Sequence, residues 1–307
     1  MELVLAQPRG FCAGVDRAIE IVERALDRFG PPVYVRHEIV HNQHVVDDLR
    51  TRGAVFIEDP ADAPEGAVLI FSAHGVSPAV KRAAEEQTLR VIDATCPLVT
   101  KVHVETRRLA REANEIVMVG HAGHVEVEGT MGHAPDRMFL VETVEDVEKL
   151  DLRNPERVGC VTQTTLSVDD TRDILEALQR RFPAIRLPRK DDICYATQNR
   201  QDAVKALAEK VQLVFVIGAP ASSNSNRLVE VARRLGIRAY LVQDENEIDA
   251  AWLEDTHSIG ITAGASAPEH LVQRVVARLR ELAPGAELRQ QPGVDESVVF
   301  QLPALLR

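Results

Sequence analysis

The sequence contains few cysteines, few aromatic residues and no long apolar run, and each shortage excludes a class of protein. Four cysteines in 307 residues, none of them in a CxxC pair, do not fit a small disulfide-stabilised domain or a zinc ribbon. No apolar stretch approaches the roughly 20 residues that cross a membrane, and the first ten residues do not resemble a secretion signal. The sequence therefore predicts a cytoplasmic protein in a reducing compartment, with no membrane partner.

The sequence also has fewer basic than acidic residues, 36 against 47, so its net charge is -11. No basic run with interleaved aromatic residues is present, so nucleic acid is not expected as a partner. The sequence carries no flavin-binding or nicotinamide-binding fingerprint, so the electrons for a redox reaction would have to come from another protein. What it does have is a 45% hydrophobic content, enough to build the cores of two or three ordinary domains.

Short β-branched runs alternate with amphipathic stretches along the chain, which predicts an α/β fold with mostly parallel sheets. Helical spacing of apolar residues follows two of the cysteines, at 15–26 and at 203–211. The predicted strands lie at 33–40, 67–71, 89–94, 115–120, 157–161, 213–218 and 258–263, together with an opening strand in MELVLAQ.

Three cysteines, Cys12, Cys96 and Cys194, share one local pattern, since each stands between a predicted strand and a predicted helix. The pattern indicates an internal repeat of three similar α/β units in a cyclic, cloverleaf order. The predicted units are 13–96, 97–193 and 194–281, and the strand in 1–12 fits either the close of the third unit or the start of the first. The tail at 282–307, whose one strand-like run is SVVFQLP, is expected to clasp a neighbouring unit.

A thiol at the start of a helix lies where the backbone field favours the thiolate, the form that binds iron and zinc. Three cysteine ligands with no fourth in an equivalent position leave one coordination position open, which is typical of catalytic metal sites. The spacing alone does not decide between zinc and a 4Fe-4S cluster. Cys160, flanked by valines in a predicted strand, is interpreted as a small buried hydrophobe outside the site.

Polar residues follow the predicted strands, at the edge where parallel sheets bind ligands. Imidazole, hydroxyl and amide groups beside helix starts suit a phosphate or diphosphate. Single residues have plainer interpretations, because a histidine is often a surface or core residue and Ser225 or Asn226 could simply cap a helix. The candidates are His41, His74, His124, Thr164, Ser222, Ser223, Asn224 and Ser266.

Glu126 is the candidate proton donor, because a carboxylic acid beside a dry, phosphate-lined cavity has a raised pKa. An alternative remains, because Glu126 alternates with Val125 and Val127 as residues do in a strand. At an exposed strand edge its side chain would be solvated.

Several long strings, in order along the chain, resemble the 4-hydroxy-3-methylbut-2-enyl diphosphate reductase (LytB/IspH) family, and the resemblance covers residues 1 to 282. They are GFCAGVDRAI, HNQHVV, SAHGVSP, DATCPLV, GHAGHVEVEGT, TQTTLSVDDT, DDICYATQNRQ, SSNSNRL and GASAPE. The resemblance implies a pseudo-threefold cloverleaf around a central 4Fe-4S cluster, with Cys12, Cys96 and Cys194 as ligands and one open iron. It further implies reductive dehydroxylation of the allylic diphosphate to isopentenyl and dimethylallyl diphosphates, the last step of the non-mevalonate isoprenoid pathway.

The same resemblance distributes roles among the candidate residues. Glu126 would deliver protons, Thr164 would hydrogen-bond the substrate hydroxyl and help to relay them, and electrons would come from a ferredoxin or flavodoxin. The diphosphate would be bound by His41, His74, His124, Ser222, Ser223, Asn224 and Ser266. Two alternatives remain, a cluster-free phosphate-binding module with core cysteines and an iron-sulfur dehydratase that needs no reductant.

Overall fold

The computed structural model describes residues 1–112, 114–188 and 192–307, and it confirms an α/β fold with parallel sheets. The described strands are β1 (Glu2–Leu5), β2 (Val33–Arg36), β3 (Ala54–Ile57), β4 (Val68–Phe71), β5 (Arg90–Asp93), β6 (Glu115–Val119), β7 (Met138–Val141), β8 (Val158–Thr162), β9 (Leu213–Ile217), β10 (Arg238–Val242), β11 (Ser258–Ala263) and β12 (Glu287–Gln290). The described α-helices are α1 (Ala13–Phe29), α2 (Gln43–Thr51), α3 (Pro78–Glu86), α4 (Pro97–Arg111), α5 (Val125–Met131), α6 (Val144–Lys149), α7 (Val168–Arg181), α8 (Tyr195–Ala208), α9 (Ser223–Arg234) and α10 (Glu269–Leu282).

Each of the strands predicted before residue 264 corresponds to an observed one, but the prediction at 33–40 is too long. β2 ends at Arg36, because His37 adopts a φ of 58°, in the left-handed region that a strand cannot continue through. No described helix is long and apolar enough to span a membrane.

The chain divides into two compact units. The first comprises Met1–Val15, His41–Val45 and Tyr195–Val299, and the second comprises Asp16–Val40, Val46–Cys194 and Phe300–Arg307. The division into three sequence units at 13–96, 97–193 and 194–281, with a clasping tail at 282–307, stays a prediction, as does their cloverleaf arrangement.

The first unit holds one five-stranded parallel sheet in the order β10-β9-β11-β1-β12. Its central strands β9 and β11 are apolar on both faces because helices cover both. One face, with Phe215 and Ile261, packs in a core with α10, and the other, with Val214 and Val216, packs in a core with α8 and α9. The carboxyl ends of β9 and β11 thereby lead directly into the loops that carry candidate site residues.

The second unit holds two parallel sheets, ordered β3-β2-β4-β5 and β7-β6-β8. β4, β6 and β8 are almost fully buried, which explains their uninterrupted apolar sequences. The strands that the sequence did not reveal, β3, β7, β10 and β12, have more exposed or mixed burial patterns.

The tail differs from its prediction in one respect, because SVVFQLP forms no strand. The tail strand is instead β12, a polar segment that pairs with β1 from Glu2 to Leu5. Because β12 occupies the remaining edge of β1, that edge is not available to pair with SVVFQLP. Val299, in the middle of this run, stays largely exposed.

Candidate functional site

Each candidate ligand cysteine lies one residue before a helix, as the sequence predicts. Cys12 precedes α1, Cys96 precedes α4 and Cys194 precedes α8, and all three are half-buried thiols outside any disulfide. Cys160 differs, because it is fully buried in β8, where burial strongly raises the pKa of its thiol. The structure thus separates three partly buried cysteines at helix starts from one cysteine enclosed in a core.

The backbone N–H of each of these three cysteines donates to a carbonyl beside a candidate substrate residue. The bonds run from Cys12 to Ala265 (3.3 Å), from Cys96 to Ala73 (2.9 Å) and from Cys194 to Thr164 (2.9 Å). Ala265 precedes Ser266 and Ala73 precedes His74, while Thr164 is itself a candidate. The same kind of bond therefore links the backbone of each candidate ligand cysteine to a loop that carries a candidate substrate residue, each time within one unit.

The Cys12 thiol does not reach the thiolate state through its helix position alone. Backbone N–H groups of Gly14 and Val15 and the charge of Arg200 lower its pKa, but burial outweighs them and raises it. A metal bound at this sulfur would supply the missing positive charge, because coordination deprotonates a thiol outright. The donor set, three half-buried thiols, fits a thiolate-bound iron or zinc centre.

Glu126 is buried in α5, so the exposed strand edge left open by its sequence is wrong. One carboxyl oxygen accepts the backbone N–H of Thr164 at 2.7 Å, and the other accepts the Thr164 hydroxyl at 3.0 Å. Burial raises the pKa of Glu126 to about 7, helped by the charge of Asp192 and opposed by both bonds from Thr164. A carboxyl group with this pKa exchanges a proton readily near neutral pH.

His124 is the N-cap of the helix that carries Glu126. Its Nδ1 accepts the backbone N–H of Glu126 at 3.1 Å, so in the neutral ring the proton resides on Nε2. The His124 ring lies 6.1 Å from that of His74, whose Nδ1 is 3.3 Å from the Ser72 hydroxyl. The second unit thus brings His74, His124, Glu126 and Thr164 into one neighbourhood.

In the first unit, three candidates lie at the start of α9. The N-cap is Ser222, whose Oγ accepts the backbone N–H of Ser225 at 3.3 Å, rather than Ser225 or Asn226. Asn224 is buried, and neither polar atom of its amide has a partner among the described residues. The desolvation of an amide in this state is offset by a polar partner, and both water and a bound ligand can serve.

Two further candidates of the first unit contact each other, since the Ser266 hydroxyl donates to the His41 carbonyl at 3.0 Å. By unit, Cys12, His41, Ser222, Ser223, Asn224 and Ser266 belong to the first, and His74, Cys96, His124, Glu126, Thr164 and Cys194 belong to the second. The assignment of each residue to metal or substrate stays a prediction.

Polar residues on one buried helix face are the main group that the sequence interpretation missed. Thr197, Arg200 and Gln201 of α8 are fully buried, beside the apolar face that the sequence predicts. Tyr195, the first residue of this helix, accepts the backbone N–H of Ala13 at 3.4 Å, next to Cys12. The available signal was the polar string YATQNRQ directly after Cys194, where an ordinary buried helix face would be apolar.

The sequence interpretation also did not identify Ser225 as a packing residue. Its side chain fits between Gly218 and Gly264, which lie directly after two strands. A Cβ atom at Gly264 would lie 2.0 Å from its Oγ, and one at Gly218 would lie 2.2 Å from the same atom. These contacts place the start of α9 directly against β9 and β11.

We expect Gly264→Ala to lower the free energy of unfolding by about 1 to 3 kcal/mol, because the added methyl group overpacks Ser225. Urea unfolding of the variant measures this loss. In Gly264→Ala/Ser225→Ala the contact at 2.0 Å is removed, so much of the loss should be recovered. Equal losses in the single and double variants would show that Ser225 is not the obstacle.

The chain is similar in sequence to a known protein family and to named relatives. The family model described as LytB protein matches residues 3–280. A 4-hydroxy-3-methylbut-2-enyl diphosphate reductase from Bordetella pertussis is 62% identical over 98% of this chain and 93% of its own length. One of the same name from Neisseria meningitidis serogroup C is 61% identical over 99% of this chain and 95% of its own.

Two solved structures are similar in fold. The E-1-hydroxy-2-methyl-but-2-enyl-4-diphosphate reductase from Plasmodium falciparum has a TM-score of 0.96 and 42% identity, and the match covers 99% of this chain and 96% of that one. A second structure, described as (E)-4-hydroxy-3-methyl-but-2-enyl diphosphate reductase, the terminal enzyme of the non-mevalonate pathway, has a TM-score of 0.64 and 33% identity. That match covers 92% of this chain and 100% of the other.

Proposed function

Because this chain belongs to the LytB protein family, we propose that it reduces (E)-4-hydroxy-3-methylbut-2-enyl diphosphate to isopentenyl and dimethylallyl diphosphates. The reaction consumes two electrons and two protons and releases the allylic hydroxyl as water. It is the terminal step of the non-mevalonate pathway, which the description of one solved relative names. The observation that carries the proposal is the buried Glu126, whose pKa near 7 and hydrogen bonds to Thr164 suit it to protonate a departing hydroxyl.

The cofactor proposed is a 4Fe-4S cluster held by Cys12, Cys96 and Cys194. Its support is the donor chemistry, because these three thiols are half-buried at helix starts whereas Cys160 is enclosed in the core. When bound, the cluster would supply the electrons and a Lewis-acidic iron to the substrate hydroxyl.

Proton delivery is the task of the residues themselves. Glu126 in its protonated form donates from its carboxyl oxygen to Thr164 Oγ1, 3.0 Å away. The Thr164 hydroxyl, having accepted that bond, is then able to donate its own hydrogen to the substrate hydroxyl. The backbone N–H of Thr164 holds the other Glu126 oxygen, so the carboxyl group stays oriented while the proton moves.

The diphosphate would be bound without a lysine or arginine clamp. The donors proposed are His41, His74, His124, Ser222, Ser223, Asn224 and Ser266. His124 is suited to the task, because its Nδ1 accepts the Glu126 N–H, which places the proton of the neutral ring on Nε2, a nitrogen that can donate. Binding energy from the diphosphate would orient the allylic end of the molecule for reaction.

Electrons are proposed to come from a small carrier such as a ferredoxin or flavodoxin. The support is the sequence, which has no nicotinamide or flavin fingerprint of its own. A cytoplasmic location likewise stays a prediction of the sequence.

The proposal is tested by anaerobic assay of the purified full-length chain with the hydroxylated diphosphate and a chemical reductant. We expect bound iron and sulfide, and reductant-dependent formation of both products. A colourless, folded protein that binds phosphate would favour the phosphate-binding module. Turnover without reductant would favour an iron-sulfur dehydratase.

Replacing Thr164 with Val should remove one of the bonds that lower the pKa of Glu126, so that this pKa rises above 7. Because the protonated acid is the active form, activity falls as pH rises through the Glu126 pKa. We expect the falling limb of the kcat profile to move to higher pH, with kcat itself about tenfold to a hundredfold lower.

Thr162→Val is the matched control, because Thr162 is a buried threonine of β8 whose hydroxyl has no partner among the described residues. Its pH profile should match that of the wild type. An unchanged limb in Thr164→Val would contradict the role of the Thr164 hydroxyl.

A further inference from the structure

Each helix that begins after a candidate ligand cysteine carries a cation five or six residues beyond that cysteine. The three cations are Arg17 on α1, Lys101 on α4 and Arg200 on α8. Each of them contacts the short loop that precedes another of the three cysteines. The two arginines bind backbone carbonyls, whereas the lysine binds a carboxylate. Each contact lies within a single unit.

Arg17 binds the loop before Cys96. Its Nη1 donates to the carbonyl oxygens of Ala94 and Thr95 at 3.3 and 3.1 Å, and its Nε donates to the Gln301 carbonyl at 2.8 Å. Burial lowers the pKa of Arg17, and the nearby sulfur of Cys96 opposes that shift, so the two groups are within electrostatic range.

Arg200 binds the loop before Cys12 and is fully buried. It donates to the Gly10 carbonyl from Nε and Nη2 at 3.0 and 2.6 Å, and to the Phe11 carbonyl at 3.1 Å. Glu296 pairs with it at 3.0 Å and offsets part of the cost of burying the charge. Arg200 is also among the groups that lower the pKa of Cys12.

Lys101 binds the loop before Cys194 through a carboxylate. Its Nζ lies 3.3 Å from one oxygen of Asp192, which precedes Cys194 by two residues. The other oxygen accepts the backbone N–H of Thr162 at 3.1 Å, at the end of β8. Asp192 is buried while Lys101 is half-exposed, so this cation is the most strongly screened of the three.

The order of these contacts closes on itself along the chain. The helix after Cys12 binds the loop before Cys96, the helix after Cys96 binds the loop before Cys194, and the helix after Cys194 binds the loop before Cys12. One such contact is an ordinary loop anchor. Three in a closed order, each reaching at least one of the two residues before a cysteine, indicate a role shared by the cysteines.

We propose that Arg17, Lys101 and Arg200 are positioning residues that hold the three cysteine loops and raise the reduction potential of the cluster those cysteines bind. The inference rests on the proposed function, since it requires the cluster. A reduced cluster carries one more negative charge than an oxidised one, and a fixed cation nearby stabilises the reduced form. Removing such a cation shifts the equilibrium toward the oxidised form.

The test is an anaerobic redox titration of the cluster-loaded full-length protein, followed by the spectrum of the reduced cluster. We expect Arg17→Gln to lower the ratio of reduced to oxidised cluster at a fixed solution potential by about three- to tenfold. A tenfold change corresponds to about 59 mV for a one-electron couple. Lys101→Gln should shift the ratio in the same direction but less, because Lys101 is more exposed.

Conservative variants separate charge from packing. Arg17→Lys and Lys101→Arg keep the positive charge and should restore most of the potential. Arg24→Gln on α1 and Arg108→Gln on α4 remove the same charge from the same helices, at residues that pair with acids of their own helix. Both should leave the potential unchanged.

Arg200 requires a different variant, because removing it alone leaves the partly buried carboxylate of Glu296 without its cation. Arg200→Met/Glu296→Gln removes both charges together. Its iron content should fall relative to the wild type, since the Gly10 and Phe11 carbonyls lose their common donor. Urea unfolding of the metal-free protein shows whether the fold is retained.

The outcomes distinguish the two proposals. Wild-type protein that binds no iron and sulfide refutes the proposed function itself. A second outcome is that the wild type carries the cluster while Arg17→Gln and Lys101→Gln have the same reduction potential as the controls Arg24→Gln and Arg108→Gln. That result refutes the role of the cations but not the proposed function. A Lys variant of Arg17 as impaired as the Gln variant refutes the charge effect.

Discussion

Replacing Glu126 with Gln is expected to lower kcat by about 10²- to 10⁴-fold, while the protein becomes more stable at alkaline pH. Gln keeps both contacts of the carboxyl group, because its carbonyl accepts the Thr164 N–H and its amide N–H₂ donates to the Thr164 hydroxyl. What it loses is the proton that the substrate hydroxyl must receive. KM should change little, since the geometry of the site is retained.

The stability effect follows from the raised pKa of Glu126. The unfolded chain loses this proton near pH 4.5, whereas the folded protein holds it to about pH 7. The stability contributed by protonated Glu126 is fully present below pH 4.5 and is lost as pH rises to 7. Gln does not ionise, so at pH 8 the variant should exceed the wild type in unfolding free energy by up to about 3 kcal/mol.

Urea unfolding of the metal-free protein at pH 5 and pH 8, with steady-state kinetics of the loaded enzyme, measures both effects. Glu128→Gln is the control, because Glu128 lies exposed on the same helix. It should change neither quantity. A Glu126→Gln enzyme that retained most of its turnover would rule out this carboxyl group as the acid.

Replacing Cys96 with Ser should abolish both the stable cluster and turnover, because a hydroxyl is a far poorer iron ligand than a thiolate. Cys160→Ser is the internal control, since this cysteine lies in the core of the second unit. It should keep the full iron content and activity, with only a loss of stability from the buried hydroxyl. Iron and sulfide analysis with anaerobic assay separates the two outcomes.

Metal-free protein of both variants should show a wild-type circular dichroism spectrum, which separates loss of ligand from loss of fold. A Cys96→Ser protein that retained a full and stable cluster would overturn the assignment of this residue. Loss of the cluster in Cys160→Ser would place the fourth cysteine in the site and contradict its structural role.

The fold class was predictable because parallel strands covered on both faces produce continuous apolar runs, as in β4, β9 and β11. The missed strands lack that signal. β12 has the sequence ELRQ and owes its strand conformation to backbone pairing with β1, which leaves no trace in its side chains. The tail run SVVFQLP carries the side-chain pattern of a strand without a backbone partner.

The site was partly predictable for a related reason. Polar residues placed directly after apolar strands, such as His74 and Thr164, are visible in the sequence and lie at the predicted sheet edges. The roles of Arg17 and Arg200 were not visible, because their partners are backbone carbonyls that any residue provides. The tautomer of His124 likewise follows only from the helix that it caps.

The place of β1 inside its sheet has a consequence for synthesis on the ribosome. β1 lies between β11 and β12, two strands that are synthesised long after it. The adjoining Cys12 loop depends on Ala265 and Arg200 for its shape, and these residues also emerge late. The nascent segment that contains β1 therefore stays unpaired until β11 has been made, and the proposed cluster could be held at Cys12 only after the loop that contains Ala265 has also emerged.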